Sequence, residues 1–171
     1  MKTIRKSIFE TNSSSTHTLV ISTGDIMNIE SPLVFRFGEF GWDFEAYDCP
    51  ADRASYLWTY FVYNYYDYDK KSYEKVYEWR DKLKNVLESE GIECEFEDPE
   101  TNDTGYIDHG SELQGLFEDM IDNDQDKLMR YLFGAGSTIY TGNDNEYEGG
   151  QYDDEIERAE NAGYDVIYKG N

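Results

Sequence analysis

His17 and His109 are the only imidazoles in the chain, so acid–base chemistry that uses histidine has to pass through one of them. His17 closes the stretch FETNSSSTH, behind Ser13, Ser14 and Ser15, and His109 follows Asp108 in YIDHGS. A hydroxyl, an imidazole and a carboxylate are the parts of a nucleophile–base–orienter relay. In a hydrolase or nucleotide-modifying enzyme, Ser13, Ser14, Ser15, His17, Asp108 and His109 would be those parts. The chain has no G-x-S-x-G stretch to build a nucleophile elbow. Runs of Ser, Thr and Asn also satisfy their own backbone in turns and caps. The residue types therefore favour a polar turn that fixes a first strand, with no catalytic residue assigned. Asp108 and His109 also stand just before a capped helix start, a place that attracts anions.

A second stretch, DNEYEGGQYDDE, bears on metals. Asp144, Glu146, Glu148, Gly149 and Glu155 fall at positions 1, 3, 5, 6 and 12 of the calcium-loop pattern. Glu stands where Asp or Asn is usual at two of these, and Gln151 fills a position that is usually apolar. An acidic solvated loop is the expectation, and a calcium-stabilised structural protein the alternative; no cofactor is expected. Two histidines and two distant cysteines, Cys49 and Cys94, do not form a zinc signature. The cysteines read as reduced, buried thiols.

The strongest signal is charge. The chain of 171 residues carries 37 Asp/Glu against 15 Lys/Arg, a net charge of -22. Residues 1–85 are nearly balanced, with 11 basic and 13 acidic residues, whereas residues 86–171 hold 4 and 24. Direct binding to nucleic acid is disfavoured, because phosphate contacts need Lys and Arg. A basic protein surface is the partner such a field selects. Carboxylates on a fold can imitate the phosphate row of a duplex, one charge per roughly 1.7 Å. The expected contact residues are Glu93, Glu95, Glu97, Asp98, Glu100 and Asp103, then Glu118, Asp119, Asp122, Asp124 and Asp126, then Asp144, Glu146, Glu148, Asp153, Asp154 and Glu155. Interleaved tyrosines would add rigid contact area.

The elements that must position these groups can be read from periodicity. HTLVIS (17–22) and LVFRF (33–37) read as strands, and GEFGWDFEAYD as a Gly-punctuated hairpin or loop. Pro50 suits the first turn of a helix over PADRASYLWTYFVYNYY, in which Leu57, Phe61 and Tyr65 share a face. SYEKVYEWRDKLKNVLESEG repeats Tyr73, Val76, Tyr77, Leu83 and Leu87 at helical spacing, with Gly91 as its stop. IECEF (92–96) alternates into a strand with one wet acidic face. Ser111 and Gln114 have the spacing of a capping box, for a helix striped by Leu113, Leu116, Phe117, Met120 and Ile121. Asp124 caps a second helix that Gly134 ends. STIYTG is a strand, DDEIERAENAG a helix and YDVIYKG a closing strand. Without a regular βαβ rhythm, the expectation is one α+β domain over 1–171, a mixed or antiparallel sheet with packed helices. The basic N-terminus is followed by no apolar h-region and no stretch is long enough to span a membrane, so a cytoplasmic protein is expected.

FETNSSSTH, GEFGWD, YIDHGS and TGNDNE together resemble a group of small phage and mobile-element proteins of Gram-positive bacteria that begin with an FETNSSS-x-H signature. The resemblance spans residues 4 to 146 and departs at Gly110, where the group often has Gln. It implies phage origin, a host-cytoplasmic location and a single α+β domain. The matching positions are Asn12 to Ser15, His17, Glu39, Asp43, Asp108, His109, Ser111, Asn143, Asp144 and Asn145, which raises the expectation of one polar cluster in the fold. Small acidic phage proteins are similar, as a class, to inhibitors of host nucleic-acid machinery, anti-CRISPR proteins among them. A Cas9-type effector, with its positive channel, is a target of the matching charge.

Overall fold

The computed structural model describes residues 15–29, 31–41, 43–109, 113–143 and 151–169. Eight strands and five helices are defined among them: β1 (Ser15–Ile21), β2 (Leu33–Phe35), β3 (Glu39–Phe40), β4 (Glu45–Tyr47), α1 (Pro50–Tyr65), α2 (Glu74–Ser89), β5 (Cys94–Phe96), β6 (Tyr106–Ile107), α3 (Leu116–Asp122), α4 (Gln125–Phe133), β7 (Thr138–Asn143), α5 (Asp153–Asn161) and β8 (Asp165–Lys169). The class is α+β. A four-stranded antiparallel sheet runs β4-β7-β1-β8, and two parallel pairs, β2-β5 and β3-β6, flank it.

β1 is central, and its alternation sorts chemistry between the two faces. Leu19 lies opposite Ile139 and Ile167, and His17 opposite Thr141. Because cross-strand partners share a face, these residues look toward the helical layer. Thr18 pairs with Tyr140 on the other face, where the Tyr140 ring lies 4.6 Å from that of Tyr152, just before α5.

α1 is the axle of the fold. Nine of its 16 residues are buried, Tyr56, Leu57, Trp58, Tyr60 and Phe61 among them, as expected of a helix that is apolar around most of its circumference. Its aromatic rings meet neighbours at the separations that edge-on and stacked pairs prefer: Trp58 and Phe96 at 5.1 Å, Phe61 and Trp79 at 5.4 Å, Tyr60 and Phe117 at 4.9 Å. Cys49 caps the helix, its sulfur accepting from Asp52 N at 3.4 Å. Both cysteines are half-buried free thiols.

Two elements differ from expectation. GEFGWDFEAYD is not one hairpin. Its first part, β3, pairs with β6 in parallel, and its second, β4, is the edge strand of the main sheet. The helix expected from Ser111 begins instead at Leu116, behind Gly115 at φ +89°. A left-handed residue cannot sit inside an α-helix, so that glycine sets the start; Ser111 itself lies outside the described residues. The other helices and strands follow the sequence pattern within a few residues, down to the Asp124 cap, which accepts from Lys127 N at 3.0 Å.

Candidate functional site

Ser15 and His17 of the first motif and Asp108 of the third meet at the start of β1. Ser15 lies opposite Asn143 and His17 opposite Thr141 on β7. β6 brings in Asp108, whose N–H donates to Phe40 O at 2.9 Å and so extends the β3–β6 pair by one residue. The loop after β3 closes over the group. Gly41 adopts φ +108°, and a Cβ there would sit 2.8 Å from His17 Cε1 and 3.2 Å from Asp108 Cβ. Thr141 Oγ1 donates to Asp43 O at 2.8 Å, tying the same loop to β7.

Within this junction the hydrogen bonds run in a definite order. Ser15 Oγ donates to Asp108 Oδ2. His17 Nε2 lies 2.7 Å from the backbone oxygen of Asp108, which can only accept, so this nitrogen carries a proton. Tyr56 Oη lies 2.9 Å from His17 Nδ1. Burial holds the Tyr56 hydroxyl well above its ordinary pKa, so the phenol keeps its proton in this contact. Ser15 and His17 are 0% and 1% exposed.

Among the described contacts this is the bonding of a structural tie. A relay needs the serine hydroxyl on the imidazole, whereas Ser15 is bonded to the carboxylate. His17 spends one nitrogen on a main-chain carbonyl and the other on a phenol. Burial satisfied in this way locks loops together. His109 follows at φ +54°, half-buried, at the end of β6. Ser13 and Ser14 lie outside the described residues, as do Asn12, Asp144 and Asn145. Glu39 and the Asp43 side chain are exposed rather than drawn into the junction. Tyr56 was not singled out by sequence reasoning. Its position on the buried side of α1, one turn before Tyr60, is the signal that could have found it.

The tie predicts a stability effect. Tyr56→Phe keeps the ring but removes the hydroxyl from the buried Tyr56–His17 hydrogen bond, so about 1–3 kcal/mol of stability should be lost. Urea denaturation checks this; an unchanged midpoint would show that the phenol contributes nothing.

The acidic residues are used in several ways. Glu93, Glu95, Asp98, Glu100, Asp103, Asp119, Asp122, Asp126, Asp153 and Asp154 are exposed. Glu118 is not the surface group expected. Its Oε1 accepts from Tyr60 at 2.7 Å and also from Tyr65, and its Oε2 is buried with no hydrogen-bond partner among the described residues. Glu97 turns to its own fold as well, accepting from Phe37 N at 2.9 Å. Asp124 is the α4 cap, and Asp122 receives Lys82 at 2.8 Å. Glu155 belongs to α5 and pairs with Arg158 at 3.1 Å, while Asp144, Glu146 and Glu148 lie outside the described residues.

Two of the three acidic segments border α2. Tyr77 reaches Asp98 at 3.2 Å and Glu100 at 3.0 Å, and Lys82 reaches Asp122. The third opens α5, on the Tyr140 face of the sheet, opposite to the face that α1 covers. The expected contact residues therefore divide between two sides. Tyrosine recurs as the donor to carboxylates, and Tyr60, Tyr65 and Tyr77 are all pushed upward in pKa by burial and by those acids.

Comparison with known proteins returned no matching family model, no matching curated protein and no matching solved structure. Among the described residues, no helix is long and apolar enough to cross a membrane.

Proposed function

We propose that this protein is a non-enzymatic acidic inhibitor that binds a basic, nucleic-acid-handling surface of a host defence protein, with a Cas9-type CRISPR effector as the target class. The observation that carries the reading is the border of exposed carboxylates along α2: Asp98 and Glu100 beside Tyr77 on one side, Asp122 beside Lys82 on the other. A positively charged channel built to hold nucleic acid is complementary to such a surface. Acidic residues on the Tyr140 face add to the long-range field that steers encounter. The hydrolase alternative would take its base from His17 or His109 and its nucleophile from Ser13, Ser14 or Ser15; the described bond from Ser15 runs to Asp108 rather than to an imidazole, which favours the binding reading.

Binding to a guide-loaded Cas9, followed by biolayer interferometry, tests the proposal. The triple variant Glu93→Lys, Glu95→Lys, Asp126→Lys changes exposed side chains and should weaken binding at least about tenfold, as like charges at a rim cost association. Binding should also weaken as salt rises. Glu118→Gln, an interior change, should leave affinity where it was. No binding by the wild-type chain, or equal binding by the triple variant, rejects the reading.

A further inference from the structure

Between the start of α2 and the loop that follows β5 lies an open groove of about 730 Å³, lined by Lys71, Ser72, Tyr73, Glu74, Tyr77 and Glu100. Its walls are aromatic and its rim is acidic. The Tyr73 ring lies 4.5 Å from that of Tyr66 and 6.2 Å from that of Tyr77, and Tyr66 meets Tyr68 at 4.7 Å. Tyr68 is 74% exposed, so this row of rings runs out to solvent. The Tyr77 hydroxyl lies 3.0 Å from Glu100 and 3.2 Å from Asp98, its one proton shared between them, which holds Glu100 at the groove edge.

We propose that this groove receives arginine side chains of a basic partner, each guanidinium set against a tyrosine ring and within reach of Glu100 and Glu74. The contact rests on the binding reading above for the nature of the partner. The molecule already shows the chemistry in its own chain, because the Arg80 guanidinium carbon stands 4.6 Å from the centre of the Tyr77 ring. A planar, weakly hydrated cation is suited to this combination, since it stacks on an aromatic face and pairs with a carboxylate at once. A compact lysine ammonium can do the second but gains less from the first. Among the described residues, Lys71 is the one cation lining the groove. It sits at φ +51° and is exposed, and it opposes the incoming charge.

The test is a titration, followed by NMR on the full chain, with a capped peptide of alternating Gly and Arg. Counterparts with Lys or with neutral citrulline replace Arg in parallel titrations. Resonances of Tyr73, Tyr77 and Glu100 should move with the Arg peptide, and affinity should fall about threefold for Lys and more for citrulline. Glu100→Gln and Tyr73→Ala should each weaken Arg-peptide binding, and Lys71→Ala should tighten it. Tyr77→Phe keeps the ring and serves where a larger truncation unfolds the helix. Equal binding of Arg and citrulline peptides, or shifts elsewhere on the surface, overturns the groove. If the groove variants bind the peptide normally while Glu93→Lys, Glu95→Lys, Asp126→Lys loses the effector, the groove fails and the wider reading stands. Peptide binding without effector binding retains the groove and rejects the wider reading.

Discussion

Arg53→Ala should remove about 3–5 kcal/mol of stability, a large fraction of the roughly 5–15 kcal/mol that holds a domain folded. Arg53 lies in the first turns of α1 and is fully buried. Its guanidinium has no carboxylate partner in the described contacts; it donates instead to main-chain oxygens. Nε and Nη2 reach Leu132 O at 3.2 and 2.8 Å, and Nη1 reaches Asp48 O at 2.5 Å and also Ser137 O. Leu132 stands in the last turn of α4, where carbonyls lack helical partners and the dipole end is negative. One side chain thereby fastens α1 to the end of α4, the start of β7 and the β4–α1 connection. Burial pulls its pKa below the ordinary value, yet a guanidinium remains charged at any physiological pH. Truncation strands the buried carbonyls of Leu132 and Ser137 and leaves a hole as well. Arg53→Lys should recover little, since one ammonium cannot span the same oxygens. Chemical denaturation of both variants reads the effect, and a loss below about 1 kcal/mol for alanine would contradict the account.

Gly105→Ala should cost about 2–5 kcal/mol, the sum of a left-handed backbone penalty and a steric conflict. Gly105 holds φ +61°, and a Cβ there would lie 2.0 Å from Gly38 O. That oxygen accepts from Tyr106 N at 3.0 Å, and Gly38 N donates to Thr59 Oγ1 at 3.1 Å. The clash is thus backbone against backbone, with α1 behind it, and no flexible side chain can yield. Moving β6 away from β3 would also carry Asp108 away from His17 and Ser15. Gly91 gives the comparison: its φ is +78° but nothing stands within 4 Å of an added Cβ. Gly91→Ala should therefore lose about 1–2 kcal/mol, the backbone penalty alone. Thermal unfolding of the two variants side by side checks the difference, and equal losses would exclude the steric component.

Much of the fold was legible because its elements obey simple periods. α1 and α2, the Asp124 cap, the Gly134 stop and the strands β1, β5, β7 and β8 all carry local signals. The assignments that failed depend on distant chain. Whether Glu39–Phe40 folds back as a hairpin or pairs with Tyr106–Ile107 is decided by a segment more than sixty residues away. Leu113 looked like part of the α3 stripe, and a single left-handed glycine moved the helix start beyond it. At the junction, the motifs indicated that Ser15, His17 and Asp108 could meet, and they do. Composition does not say that a tyrosine from α1 would complete the tie, nor that the serine would face the acid instead of the imidazole. Charge was the most visible property and the least positional. Glu118 and Glu97 look like their neighbours in sequence, yet tyrosine hydroxyls and a main-chain N–H claim them. Arg53 had no signal at all, since one arginine near a helix start looks ordinary.

Phenols, rather than cations, hold several of the acids of this chain, and that choice separates two responses to ionic strength. A neutral donor bonded to a carboxylate is nearly indifferent to screening, whereas the crowd of like charges around it is relieved by screening. Added salt should therefore firm the folded chain, and it should loosen the proposed association with a basic partner, which is founded on opposite charge.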